Sequence, residues 1–253
     1  MVDLAGKVAL ITGAGQGVGE GIARALAASG AQVVLAGRTF DKVAAAAATI
    51  SEQGASALAV RCDVKSPDDC SAAVSQTVEH FGGLDILVNN AQEVPLGALA
   101  EVTDDQFRAG FESGPLATFR LMKLAHPHMA VRGGGTIVNL ASSAGIRWDM
   151  STYGAYGAVK QAIRALTRAA ASEWGGDGIR VLTIAPHAES PGLKWWIENN
   201  PEEAQTFFRT IPLGRIGRLE EDIGRAVAAL CGPDLAYITG ATIPLDGGQA
   251  NFD

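Results

Sequence analysis

Tyr156-Gly157-Ala158-Val159-Lys160 sets a phenol and an amine four residues apart. On a helix that spacing puts both side chains on one face. A nearby ammonium favours the phenolate, which predicts a tyrosine pKa drawn from about 10 toward neutrality. A phenol so tuned is a general acid–base for a carbonyl or an alcohol. The same spacing also arises as a half-buried ring beside a surface amine, so the pair needs company. It has Ser142-Ser143, with Ser143 standing 13 residues ahead of Tyr156, then Asn89-Asn90-Ala91, and Asp246-Gly247-Gly248. Tyr153 is a poorer candidate for the acid–base, because Gly157 stands four residues on.

A second cluster lies near the N-terminus. Thr12-Gly13-Ala14-Gly15-Gln16-Gly17-Val18-Gly19 follows an apolar run and opens a helical pattern. Glycines let a backbone approach a ligand closely, and a helix N-terminus offers free N–H donors and a positive dipole end. Together they suit a pyrophosphate. In a dinucleotide-binding fold, an acidic residue at the end of the second strand would hold a free ribose 2′-hydroxyl. That position holds Gly37, followed by Arg38. A missing carboxylate and a forked cation favour a 2′-phosphate, hence NADP(H) over NAD(H).

Elements that could position these groups alternate along the chain. Apolar runs at 7–12, 32–36, 57–62, 84–89, 136–140 and 179–184, with a short last run near 241–245, read as strands buried on both faces. Between them lie helical patterns with marked ends: Ser66-Pro67-Asp68-Asp69 as a cap and first turn, Thr103-Asp104-Asp105-Gln106 as a capping box, and Ser29-Gly30 as a stop. The alternation predicts an α/β fold, a Rossmann-type doubly wound parallel sheet of about seven strands with helices on both faces. No linker, repeat or charge block divides residues 1–253, which predicts one domain. The stretch 187–212 breaks the pattern and carries Trp195, Trp196, Phe207 and Phe208.

The T-G-x-x-x-G-x-G turn, N-N-A, serine, Y-x-x-x-K and D-G-G, in this order and spacing over essentially the whole chain, resemble the short-chain dehydrogenase/reductase family. The resemblance implies an oxidoreductase that moves a hydride between a nicotinamide and a substrate carbon. It implies Tyr156 as the proton carrier, Ser143 as the group that steadies the substrate oxygen, with Ser142 as the alternative, and Lys160 as the group that tunes Tyr156 and binds the nicotinamide ribose. Thr12, Gly13, Gly15, Gln16, Gly17, Val18 and Gly19 would meet the phosphates and Arg38 the ribose phosphate. Asp63 and Val64 would meet adenine, Asn89 and Ala91 the adenosine ribose region, and Ile184 to Pro186 the nicotinamide.

Three positions depart from that family's pattern. Gln92 follows N-N-A in place of glycine. Gly114, followed by Pro115, stands where the family usually carries an asparagine, and Pro115 predicts a kinked helix. His187 follows Pro186 in place of glycine, leaving Ser190 as the nearest hydroxyl for the nicotinamide carboxamide. An active reductase with an altered proton relay and a cofactor-binding sensor with weakened catalysis are both open. Retention of Ser143, Tyr156 and Lys160 favours activity.

The 187–212 segment sits where the family places its substrate lid. Trp195 and Trp196 offer large apolar area, and Gln92, Val94, Trp148, Met150 and His187 complete the expected pocket. The expected substrate is a small hydrophobic ketone or secondary alcohol, cyclic or aromatic. A 3-oxoacyl-carrier-protein reductase is the alternative, weakened because Trp174-Gly175-Gly176-Asp177 lacks the basic residues an acidic carrier would want. The resemblance also implies a homo-oligomer, a tetramer or dimer, with Phe111, Leu116, Phe119, Ala165, Ala169 and Ala170 as candidate contacts.

Composition bounds what remains. The chain has 31 glycines in 253 residues, above an average use of about 7%. They lack a period of three, so they belong at turns and close approaches in a globular fold. A net charge of −7 argues against a nucleic-acid partner. No uncharged stretch is long enough to span a bilayer, and Met1-Val2-Asp3-Leu4 shows no basic leader. The three cysteines, Cys62, Cys70 and Cys231, read as reduced thiols of a cytoplasmic protein. His126 and His128 lack further ligands nearby, so no metal is expected.

Overall fold

The computed structural model describes residues 2–146 and 152–250. Seven strands form one parallel sheet: β1 (Val8–Thr12), β2 (Gln32–Gly37), β3 (Ala57–Arg61), β4 (Ile86–Asn89), β5 (Gly135–Leu140), β6 (Ile179–Pro186) and β7 (Thr242–Leu245). Their spatial order is β3-β2-β1-β4-β5-β6-β7. Nine helices accompany them among the described residues: α1 (Gly17–Ala28), α2 (Phe40–Glu52), α3 (Pro67–Phe81), α4 (Asp104–Phe111), α5 (Ala117–Val131), α6 (Gly154–Trp174), α7 (Pro191–Asn199), α8 (Pro201–Phe208) and α9 (Arg225–Cys231).

Side chains alternate across a strand, and here the alternation feeds two cores. Ile11, Val33, Leu35, Leu182 and Ile184 pack against α1, α2 and α9 on one face. Leu10, Val34, Leu87, Ile137 and Val181 pack against α3, α5 and α6 on the other. Continuous apolar strands are what a sheet covered on both sides requires, so the expected doubly wound architecture is the one observed. The order reverses between β1 and β4. The crevice above that reversal, at the carboxyl ends of the strands, is where such sheets take ligands.

The opposite end of the sheet is tied by Asp85. Its carboxylate accepts from the Val8 N–H at 2.9 Å and from Arg132 Nε and Nη2, both at 3.0 Å. At the ligand end, the Ser66 cap and the Thr103 capping box form as read from sequence. The kink expected at Pro115 is a π-helical turn, Glu112–Leu116, joining α4 to α5. A proline there lacks the N–H that a continuous ladder would use, and the wider turn absorbs the loss.

The 187–212 excursion folds as α7 and α8. Both its ends are fastened at one place: the His187 N–H donates to Leu245 O at 3.0 Å, Gly217 N–H to His187 O at 3.1 Å, and Leu213 N–H to Gly247 O at 3.1 Å. Asp246-Gly247-Gly248 therefore sits beneath this excursion. A β-carbon on Gly247 would lie 2.8 Å from Ile211 Cγ2, and both glycines have positive φ, at 68° and 87°. Among the described residues, no helix is long and apolar enough to cross a membrane.

Candidate active site

The glycine turn is built by exclusion. Gly13 and Gly17 adopt φ of 65° and 61°, a region that favours glycine. A β-carbon on Gly13 would lie 2.7 Å from Asn90 Nδ2, and one on Gly19 would lie 2.5 Å from Gly13 O. Asn90 holds the turn from below, donating to Thr12 O at 2.8 Å and Gly13 O at 3.1 Å. Thr12 is expected from its place in the motif to meet the cofactor. Its side chain is instead a strut, 1% exposed, accepting from the Asn90 and Ala91 N–H groups at 3.1 Å each and donating to Val88 O. Asn89 also turns inward, donating to Asn139 Oδ1 at 2.8 Å. Its neighbours Asn90 and Ala91, past the end of β4, line the crevice instead.

That crevice is a cleft of about 610 Å³ lined by Gly13, Gly15, Gln16, Gly17, Val18, Arg38, Asp63, Val64, Ala91, Gln92, Val94 and Ser190. The sequence reading thus converges on one place for these residues. It passes over Thr39, Lys42, Cys62, Glu93 and Ser113, which share the wall. At the α1 N-terminus, Gln16 makes no side-chain cap; its Oε1 accepts from Lys42 Nζ at 2.7 Å. Uncapped N–H donors above a cradle that admits no β-carbons fit a pyrophosphate. Ser190 uses its hydroxyl to cap α7, accepting from the Leu193 N–H at 3.3 Å. Arg38 Nη1 pairs with Glu93 Oε1 at 2.9 Å, and Lys65 Nζ meets the same oxygen at 2.9 Å. Lys65 first, then Arg38, hold the Glu93 carboxyl below its ordinary range.

Beyond the cleft, α6 carries Tyr156 and Lys160. Gly157 lets this helix press on the turn after β5, since a β-carbon there would lie 2.9 Å from Ala144 O. Gln161 Nε2 clamps the same turn by donating to Gly145 O at 2.7 Å. Ser142 caps that turn, accepting from the Ala144 N–H at 3.2 Å, and its hydroxyl is the side-chain group that draws the Tyr156 phenol downward. The count back from Tyr156 favours Ser143 for this contact. Ser142 is the N-cap of the short 3₁₀ turn and Ser143 its first residue.

Lys160 is 3% exposed and donates to Leu140 O at 2.7 Å. Its Nζ lies 5.2 Å from the Tyr156 ring centre. Burial pulls the lysine down to about 7. Burial also pushes Tyr156 up to about 12, against the pull of the Ser142 hydrogen bond. This reverses the expected lowering, because desolvation disfavours phenolate and ammonium alike. In this state Tyr156 carries its proton at neutral pH.

Of the expected substrate wall, Val94 and Gln92 face the cleft. His187 and Trp196 each meet Phe207 edge-on, at 5.4 and 5.8 Å between ring centres. Trp195 is 64% exposed. Trp148 and Met150 lie outside the described residues. Pro186 ends β6, and no described cleft contact includes it. Among the described residues, no three potential ligands form a metal site; His126 Nε2 instead pairs with Asp177 Oδ2 at 2.8 Å.

A sequence model of a family described as enoyl-(acyl carrier protein) reductase matches residues 13–250. A 12α-hydroxysteroid dehydrogenase from a Clostridium species is 38% identical over 252 residues, spanning 96% of each chain. The chain belongs to the short-chain dehydrogenase/reductase family. As a member of this family it is an oxidoreductase acting on CH–OH and C=O groups. A further short-chain relative, a 2,5-dichloro-2,5-cyclohexadiene-1,4-diol dehydrogenase from Sphingobium indicum, is 35% identical over 98% of both chains. A 7α-hydroxysteroid dehydrogenase solved with NADH and 7-oxo-glycochenodeoxycholic acid superposes with a TM-score of 0.92 at 33% identity, covering 98% of this chain and 96% of that one. The fold therefore takes a nicotinamide dinucleotide, in keeping with the glycine cradle.

Proposed function

We propose that this protein is an NADP(H)-dependent dehydrogenase/reductase that interconverts a secondary alcohol and a ketone on a hydrophobic, cyclic substrate. The observation that carries the reading is the buried Lys160 with its Nζ 5.2 Å from the Tyr156 ring, beside a turn whose Ser142 hydroxyl draws the phenol downward. In reduction, Tyr156 starts with its proton and gives it to the substrate oxygen, while Ser142 donates to the same oxygen. The phenolate left behind is stabilised as Lys160 takes up a proton, an exchange a lysine near 7 makes readily. The nicotinamide, when bound, supplies or accepts the hydride. Oxidation runs through the same groups in reverse. An intact donor pair above a titratable lysine favours activity over a sensor role.

The NADP(H) preference rests on Arg38 and Lys42 in the cleft wall, with Lys65 close behind through Glu93. A ribose phosphate would compete with Glu93 for Arg38 and Lys65. The cyclic substrate rests on the Trp196–Phe207–His187 aromatic row and on the ring alcohols in the names of two relatives. The excursion bearing that row would act as the substrate lid on a single dinucleotide-binding domain. Leu116 and Phe119, exposed beside a groove between α3 and α5, would face another copy; light scattering reads this directly. Ala170, by contrast, is in the core.

Fluorescence titration should give NADPH an affinity about tenfold or more above NADH. Arg38→Ala should erase the gap and Glu93→Gln should widen it. Turnover of hydroxysteroids and cyclic alcohols should fall about a hundredfold or more in Tyr156→Phe. Tighter NADH binding would overturn the cofactor reading. Faster turnover of acetoacetyl thioesters would move the substrate class to 3-oxoacyl groups.

A further inference from the structure

The stretch from Gln92 to Pro95 lies across the bend between α4 and α5, and that bend is cut to receive it. Gly110 and Gly114 stand one turn apart. A β-carbon on Gly110 would lie 2.7 Å from Pro95 Cγ and 3.3 Å from Val159 Cγ2. One on Gly114 would lie 2.7 Å from Val159 Cγ1 and 3.1 Å from Gln92 Nε2. Between the two, the Glu93 N–H donates to Ser113 Oγ at 3.0 Å, and Ser113 donates in turn to Ala109 O at 2.7 Å. The backbone beside Gln92 is therefore pinned. Its carboxamide fills the space that a side chain at 114 would take, next to Val159 and one residue from Lys160.

Among the described residues, Gln92 Nε2 is buried with no hydrogen-bond partner. An unmet buried amide forfeits the hydrogen bond it makes in water, so a well-placed one marks an acceptor that is not part of the chain. The buried Lys160 ammonium has three donors, and Leu140 O is the acceptor it meets among the described residues. Buried polar groups with open capacity are the setting in which buried water is held.

We infer that Gln92 is a positioning residue, whose carboxamide holds a water at the Gly114 bend through which Lys160 exchanges its proton with solvent. Gly114 supplies the room and Gln92 the amide, so the two act as one unit. The inference rests on the reading of Tyr156 and Lys160 as the proton-transfer pair.

The test is a double-mutant cycle of Gln92→Gly and Gly114→Asn, which moves a carboxamide from one side of the bend to the other. Gln92→Gly should lower kcat about tenfold or more and displace the pH profile, with KM changed less than about threefold. Gly114→Asn alone should also lose activity, since its β-carbon meets both Val159 and Gln92. The double variant should recover to within about threefold of the parent and restore the pH profile. In cofactor-free melting, Gly114→Asn should lower Tm by about 4 °C or more, and adding Gln92→Gly should return most of it. A KM rise with an unmoved pH profile in Gln92→Gly would overturn the inference, as would a double variant no better than its parents. If the parent turns over no alcohol or ketone, the functional reading falls. The pair is then judged by melting alone, where strictly additive changes sink it.

Discussion

Ser142 and Ser143 are adjacent, chemically identical and one residue apart in their claim on the substrate oxygen. Position in a turn separates them. Ser142 has extended backbone and caps the turn, and its hydroxyl is the one that draws on the Tyr156 phenol, so we propose it as the donor to the substrate oxygen. Ser142→Ala should lower kcat by about a hundredfold, the usual scale for losing one donor to a developing oxyanion. Ser143→Ala should stay within about threefold of the parent. Equal losses in steady-state kinetics of the two variants would refute the assignment. Counting back from Tyr156 points to Ser143 and leaves Ser142 as the alternative, because the count assumes a fixed path between turn and helix. Thr12 and Asn89 show a related limit. Their types suit cofactor contacts, but whether a strand-end side chain faces ligand or core depends on pairing with β5 and on the loop above. The glycine turn and the Tyr156–Lys160 pair were legible because their geometry is local. Gln92 and Gly114 lie 22 residues apart. Each reads as an isolated oddity until the fold brings them together.

At the scale of elements, the site depends on how closely α6 approaches the turn after β5. Gly157 sets that distance. A methyl there would lie 2.9 Å from the Ala144 carbonyl, and a backbone oxygen cannot swing aside as a flexible side chain would. Gly157→Ala should cost about 1–3 kcal/mol as overpacking and about tenfold or more in kcat, because Ser142 moves with the turn. Denaturant melts and kinetics on the same sample check both. A variant with lowered stability and full activity would show that the turn tolerates the displacement. The element pattern itself, seven strands and the helices between, was visible in sequence because hydrophobic period and caps are local signals. The π-helical turn was visible only as a kink at Pro115, since its form reflects the packing of residues 92–95 against it.

For the molecule as a whole, Lys160 is a stability liability with a defined pH signature. Its amine titrates at about 7 in the fold against an ordinary 10.5. Between those values the unfolded chain binds a proton that the fold does not, so stability rises with pH across that window. Below about 7 both states carry the proton and the burial penalty is present in full. Lys160→Met removes the penalty. Its melting temperature should exceed the parent's by the widest margin below pH 7, and the margin should shrink as pH nears 10.5. A margin constant with pH would show that the lysine is not desolvated.

The excursion between β6 and β7 leaves and rejoins the sheet at a single knot of backbone hydrogen bonds, where His187 meets Leu245 and Gly217, and Leu213 meets Gly247. Chain whose two ends are pinned side by side is insulated from the layers beneath. Closing a longer or shorter loop over the same anchor changes the entropy only slowly, by about 0.6 kcal/mol for each doubling of length. The stretch is thus a replaceable cassette. Segments of other lengths and compositions can be grafted between these anchors to reshape what the protein selects, while the strands, the glycine cradle and the proton-handling helix stay as they are.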